Sequence, residues 1–211
     1  MHSSRFALRS WFVGLFIVLS GVAQAKAVGT LLVVGDSLSA EYGLQRGTGW
    51  VAHVSTKLRE IHPDVTVVNA SISGDTTSGG RARLAPLLTA HKPKWVILEL
   101  GANDALRGLS LKAMRANLVA MIQAAQGVNA KVLVVGVQVP PNYGAKYTQE
   151  FEASFKTVAN ETGAGLVPFL LRGVADVPDA MRWFQDDRIH PNEAAQPLLA
   201  DNVWPALQKM F

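Results

Sequence analysis

The sequence predicts an α/β fold, a single-domain three-layer α/β/α sandwich around a mostly parallel sheet of about five strands. From Thr30 onward, short Val/Leu/Ile-rich runs alternate with longer segments of helical periodicity, the pattern of strands joined by crossover helices. The runs are apolar throughout instead of alternating, as strands covered on both faces must be. Small, polar or conformationally special residues follow the runs, at the carboxyl edge where such sheets bind ligands.

The first strand runs from Thr30 to Gly35 and ends in a turn, Asp36-Ser37, that feeds a helix. Trp50, Val51, Val54, Leu58 and Ile61 recur at helical spacing and give that helix its core face. Val65 to Asn69 is the second strand, followed by Ala70-Ser71-Ile72-Ser73-Gly74-Asp75 and a helix ending near His91. Trp95 to Leu100 is the third, with Gly101-Ala102-Asn103-Asp104 after it. Leu111, Met114, Leu118, Met121 and Ile122 mark the buried stripe of the next helix. Lys131 to Val137 and a short run near Gly165 to Val167 complete the sheet. Pro197 should bend or delay the last helix, because it has no N–H for the helical ladder. No repeat, low-complexity tract or Pro/Gly/Ser linker marks a second domain.

The chain has 211 residues, 49% hydrophobic and 17% charged, which suits one globular core and argues against disorder. The first 25 residues read differently. Arg5 and Arg9 precede the apolar run Trp11 to Leu19, and Ala23-Gln24-Ala25 follows, the three regions of a secretory signal peptide. The run is shorter than the ~20 residues a membrane span needs. Cleavage is expected after Ala25, leaving residues 26–211 as one exported domain, periplasmic or secreted. That cleavage removes two arginines and takes the formal charge from +4 to +2. With no dense Lys/Arg block, nucleic acid is not an expected partner. The absence of cysteine excludes disulfides, thiolate metal ligands and a cysteine nucleophile.

Ser37 lies directly after the apolar run Leu31 to Val34, where its hydroxyl would stand at an open sheet edge. A serine hydroxyl becomes a nucleophile only when a base takes its proton and a third group orients that base. Asp187-Arg188-Ile189-His190-Pro191 supplies both, with the carboxylate three residues before the imidazole. Pro191 marks a place where a helix can begin, one short turn after Asp187. Asp187 can then accept from Nδ1–H and leave Nε2 for the serine, whereas Asp186 is read as solvated or structural. The other histidines, His2, His53, His62 and His91, have no carboxylate in a comparable loop. Asp36, Asp75 and Asp104 read as loop caps that accept from nearby backbone N–H groups. Gly74 and Asn103, taken alone, are as readily a turn glycine and a loop cap. No P-loop ending and no Gly-x-Gly-x-x-Gly after a strand point to a nucleotide.

Four blocks in order carry a resemblance: Gly35-Asp36-Ser37-Leu38-Ser39, Asn69 to Thr76, Glu99 to Asp104, and Asp186 to Asn192. Over nearly all of residues 26–211 the chain resembles the GDSL or SGNH hydrolases, near their small secreted bacterial thioesterase, lysophospholipase and arylesterase members. The resemblance implies their flavodoxin-like fold and a serine esterase with Ser37, His190 and Asp187 as the relay. An oxyanion hole then follows from the backbone N–H of Ser37, placed near a helix start, the N–H of Gly74 and the side-chain amide of Asn103. Two positions depart from the family pattern: Ala102 and Arg188 stand where glycine is usual. Ala102 is expected to narrow the backbone angles and crowd the site slightly. Arg188 adds a fixed charge that would favour an anionic substrate end.

Leu44, Leu106, Leu109, Val139, Pro140 and Tyr143, with Tyr147, are candidates for an acyl channel. The expected substrates are aryl esters, acyl thioesters and lysophospholipids, with transient contact to membrane lipid, a monomeric state and no metal or cofactor. A carbohydrate O-acetyl esterase with the same residues on a shallow polar site is one alternative. A non-catalytic binding module on a hydrolase fold is another.

Overall fold

The structure, a computed structural model, describes residues 28–211. The proposed leader at residues 1–25 therefore lies outside the described residues. Five parallel strands form one sheet in the order β2-β1-β3-β4-β5: β1 Gly29–Gly35, β2 Val65–Asn69, β3 Trp95–Glu99, β4 Lys131–Val135 and β5 Gly165–Val167. The helices are α1 Trp50–Ile61, α2 Thr77–His91, α3 Ala102–Leu106, α4 Leu111–Gly127, α5 Ala145–Thr162 and α6 Gln196–Gln208. α1 packs with α6, while α2 packs with α4 and α4 with α5, which builds one helical layer on each side of the sheet. Among the described residues, no helix is long and apolar enough to cross a membrane.

Central strands and edge strands differ as their neighbours dictate. β3 is buried at every position, and β1 from Leu31 to Gly35. β2 and β5 lie at the edges and are only partly covered, so uniform burial does not extend to them. The third and fourth strands stop at Glu99 and Val135, one and two residues short of their predicted ends. In α1 the predicted stripe is buried except for Ile61, which is exposed at the last turn. All five predicted positions of α4 are buried. Pro197 sits in the first turn of α6, where its missing N–H costs no hydrogen bond, so it starts the helix without bending it.

The order of the sheet places the site. β1 sends its connection one way, to β2, and β3 lies on its other side, so a crevice opens beyond the carboxyl ends of β1 and β3. The loop after β4 forms one wall of that crevice and begins at Gly136. There a Cβ would come within 2.5 Å of the Pro168 carbonyl oxygen, a backbone atom that cannot swing aside. Gly136→Ala should cost about 2 kcal/mol by overpacking and lower Tm by roughly 4–8 °C, measured by thermal denaturation. A Tm unchanged within a degree would mean that this loop has room to shift.

Candidate active site

Ser37 follows β1 in a series of tight turns. Ser39 N–H and Ala40 N–H both donate to the Asp36 carbonyl, at 3.2 and 2.9 Å, and α1 begins only at Trp50. The Ser37 N–H is thus a turn amide and not a donor at a helix start, contrary to the expectation from sequence. His190 and Asp187 sit on a tight hairpin-like loop. Phe184 and Pro191 form an antiparallel bridge, Gln185 N–H donates to the His190 carbonyl at 2.8 Å, and Asn192 N–H donates to Trp183 at 2.7 Å. Pro191 therefore closes a hairpin, and α6 starts five residues later, at Gln196.

The hairpin is fastened to the serine turn. Gln185 Nε2 donates to the Tyr42 carbonyl at 2.8 Å, and the Tyr42 ring lies 4.3 Å from the His190 ring, centroid to centroid. His190 Nε2 then stands 2.9 Å from Ser37 Oγ, and Nδ1 stands 2.6 Å from Asp187 Oδ2. The other Asp187 oxygen accepts from the N–H groups of Ile189 and His190, at 2.9 and 3.0 Å. Partial desolvation pushes the Asp187 carboxyl up, but those two N–H groups and the imidazole together outweigh it and bring the carboxyl down to about 2. Asp187 is thus an ionised acceptor over the whole working range, which fixes Nδ1 as the protonated ring nitrogen and leaves Nε2 free to accept from Ser37. Asp186 is exposed and takes no part in this line.

Ser37, Gly74 and Asn103 border one cavity. Ile72 N–H donates to the Gly35 carbonyl at 3.0 Å, so the loop after β2 continues alongside β1 toward the serine. Gly74 turns that loop with φ +79°, a left-handed conformation suited to glycine. The Arg107 guanidinium donates to the Gly74 carbonyl at 2.6 Å and ties the loop after β3 to the loop after β2. Asn103 lies in α3 and gives one Nδ2–H to Asp36 Oδ2 at 3.0 Å, leaving the second for a ligand. Ala102 is the first residue of α3, in a helical conformation where a methyl group carries no penalty, so it does not narrow the backbone as expected. Asp75 caps Thr76 N–H and pairs with Arg83, and Asp104 receives both the N–H and the hydroxyl of Thr77. Asp36 Oδ1 accepts from Leu38 N–H. Burial raises the Asp36 carboxyl to about 6, against the opposing effects of Leu38 N–H, Asn103 and His190.

The cavity has a volume of about 750 Å³. Leu106, Val139 and Pro140 line it as the sequence suggested, together with Phe169, Leu171, Met181 and Ile189. Leu44, Leu109 and Tyr143 do not. Leu44 is held in the turn beyond the serine by its N–H to Glu41, and Leu109 lies outside the lining. Tyr143 stacks near Tyr147 beside a separate shallow depression. Arg188 borders the cavity with φ +59°, a strained conformation for a residue with a side chain. Phe169, Met181 and Tyr42 were not found by sequence, because they stand in irregular segments with no periodicity to assign them a face.

The family model of GDSL-like lipases and acylhydrolases matches residues 33–197. The esterase TesA of Pseudomonas aeruginosa is 46% identical over 97% of this chain and 100% of its own. The thioesterase 1/protease 1/lysophospholipase L1 of Escherichia coli is 42% identical over 92% of this chain and 89% of its own. A crystal structure of TesA superimposes with a TM-score of 0.82 at 49% identity, covering 86% of this chain and 99% of that one. These relatives are esterases and thioesterases, and the chain belongs to the GDSL-like lipase/acylhydrolase family.

Proposed function

We propose that this esterase cleaves acyl esters and thioesters through an acyl-enzyme on Ser37. The observation that carries the reading is the continuous line Ser37–His190–Asp187 at the edge of an apolar cavity. Nε2 of neutral His190 takes the hydroxyl proton as Oγ bonds to the carbonyl carbon, and the resulting imidazolium returns that proton to the departing alkoxide or thiolate. A water deprotonated by the same Nε2 then attacks the acyl carbon, the acyl–Oγ bond breaks, and the imidazolium returns the proton to Ser37 Oγ as the acid leaves. The N–H groups of Ser37 and Gly74 and the free amide N–H of Asn103 receive the negative oxygen at each tetrahedral stage. Nucleophile, base and acid are all present in the chain, so the reading requires no cofactor.

The apolar lining favours an acyl chain over a sugar. Aryl esters, acyl thioesters and lysophospholipids are the proposed substrates, in line with relatives named esterase and thioesterase/lysophospholipase. Ile189 and Met181 border the cavity while more than half exposed, 55% and 56%, which supports transient contact with lipid by a monomer. A carbohydrate O-acetyl esterase would need a shallower, more polar site. The binding-module alternative is set aside, since the family members matched are esterases. The charge and apolar pattern of residues 1–25 supports export of residues 26–211, and envelope esters are then nearer substrates than cytosolic acyl-CoA.

A fluorophosphonate should label Ser37, and Ser37→Ala should lose on the order of 10⁴-fold or more in kcat; an adduct on another residue overturns the assignment. Across p-nitrophenyl esters, kcat/KM should rise by up to about fourfold per added methylene until the cavity is filled. A maximum at acetate would favour the carbohydrate alternative instead.

Acid should silence this enzyme without unfolding it. The lowered Asp187 group contributes stability above its ordinary value near 3.8 and loses it only as pH falls toward 2. The raised Asp36 group has the opposite sign, contributing most below 3.8 and losing that contribution as pH rises through about 6. As pH falls from 7 to 4.5, neither group's titration moves the balance toward unfolding. Activity lost on acidification should return in full at pH 7, with unchanged circular dichroism throughout.

Arg188→Gly should leave Tm unchanged or slightly higher, because relief of ~1 kcal/mol of left-handed strain is partly offset by the freedom of glycine in the unfolded chain. The preference for an anionic aryl ester over its neutral analogue should fall about fivefold at low salt. An unaltered preference would leave Arg188 without a role in selection.

A further inference from the structure

Beneath the nucleophile lies a pair of carboxyl groups that acyl transfer does not use. Glu99 ends β3 directly beside Gly35 of β1 in the parallel register, and both Glu99 and Asp36 are completely buried. Ser39 Oγ donates to Glu99 Oε2 at 2.7 Å, whereas Oε1 has no donor at all. Gly35, at which an added Cβ would fall 3.0 Å from Glu99 Oε2, is bonded directly to Asp36, so the two buried acidic residues lie side by side at the ends of β1 and β3. Two carboxylates in a dry site are acceptors facing one another, an arrangement that becomes favourable only when one of them carries a proton.

No cation intervenes. Among the described residues neither carboxyl has a salt-bridge partner. Arg83, which reaches the Gly35 carbonyl, is paired with Asp75. The other charged groups acting on Asp36 are His190 and Asp75, which oppose each other. Burial, reinforced by the charge of Asp36, drives the Glu99 carboxyl well above its ordinary range, against the Ser39 hydroxyl, while Asp36 is raised only to about 6. Of the two, Glu99 is the carboxyl that burial and the neighbouring charge most strongly favour as the holder of a shared proton.

The location of that proton bears on Asn103. An asparagine amide can present either its NH₂ or its C=O to a neighbour in nearly the same space. An ionised Asp36 selects the NH₂, at 3.0 Å, and so leaves a second N–H for the cavity. A protonated Asp36 could donate to Asn103 Oδ1 instead and turn an acceptor toward the reacting oxygen. We propose that Glu99 is a positioning residue: as a neutral acid it donates its proton to Asp36, keeps Asp36 an acceptor, and through it aims the Asn103 N–H at the oxyanion. This rests on the oxyanion role read for Asn103 above.

Glu99→Gln keeps an N–H donor in the same shape, whereas Glu99→Leu removes it. E99L should lose on the order of 10²-fold in kcat, close to the loss in Asn103→Ala, with KM changed less than about threefold. E99Q should restore kcat to within about fivefold of the parent enzyme. Infrared spectra at pH 7 should show the carbonyl stretch of a protonated carboxyl group in the parent enzyme and not in E99Q. A folded E99Q as impaired as E99L would mean that Glu99 acts as an anion and would overturn the proposal, as would a fully active E99L or a missing band. Should E99L not fold, the rate of E99Q and the band decide. An unimpaired Asn103→Ala would instead refute the oxyanion reading, and with it the purpose of the proton, while the band would still report where the proton resides.

Discussion

The hydrogen bond from Ser37 Oγ to His190 Nε2 joins residues 153 positions apart and spans 2.9 Å. Everything else in the fold serves to make that contact reproducible. A displacement of one ångström in either loop would break the alignment needed for proton transfer, so neither loop is left free. Ser37 is held by turns at the end of a strand that is buried from Leu31 to Gly35. His190 is held by a bridged hairpin whose Gln185 reaches across to the backbone of Tyr42. A hydroxyl from the start of the domain and an imidazole from its end are thus brought together by backbone hydrogen bonds, not by the reacting groups alone.

The second constraint is electrostatic. Polar groups are expensive to bury without partners, yet this site buries Asp36, Ser39, Glu99 and Asp104 almost completely. Ser39 donates to Glu99, Thr77 to Asp104, and Asn103 to Asp36. Such a network is rigid where each member has one satisfactory arrangement, and rigidity is what an oxyanion site requires, since donors already in place need no reorganisation as charge develops. Asp187 follows a different logic. Its side chain is 35% exposed, and two backbone N–H groups of its own loop, with the imidazole, keep it ionised.

The apolar wall of the cavity lies outside these networks. The apolar wall comes from the loops after β3 and β4, from the segment between β5 and the His190 hairpin, and from Ile189 of that hairpin, with Met181 and Ile189 exposed. That separation leaves the Ser37–His190 contact independent of the cavity wall.

Periodicity sufficed to identify the five strands, the core stripes of α1 and α4, and the loops that hold Ser37, Gly74, Asn103, Asp187 and His190, because local hydrophobic pattern and turn chemistry are written in neighbouring residues. Strand ends were less legible, as with Leu100 and Val137, where apolar character continues past the last ladder bond. The placement of Pro191 in a hairpin and of Ser37 in turns without a helix depends on pairing between distant backbones, which no local pattern encodes. Leu44, Leu109 and Tyr143 were apolar and near the right loops, but the direction of a side chain on an irregular segment is set by what packs around it. Glu99 is the sharpest case: its sequence neighbours mark only the end of a strand. Its place beside Gly35, the residue before Asp36, was decided by the parallel register of β1 and β3, which brings the two buried acidic residues to the same end of the sheet.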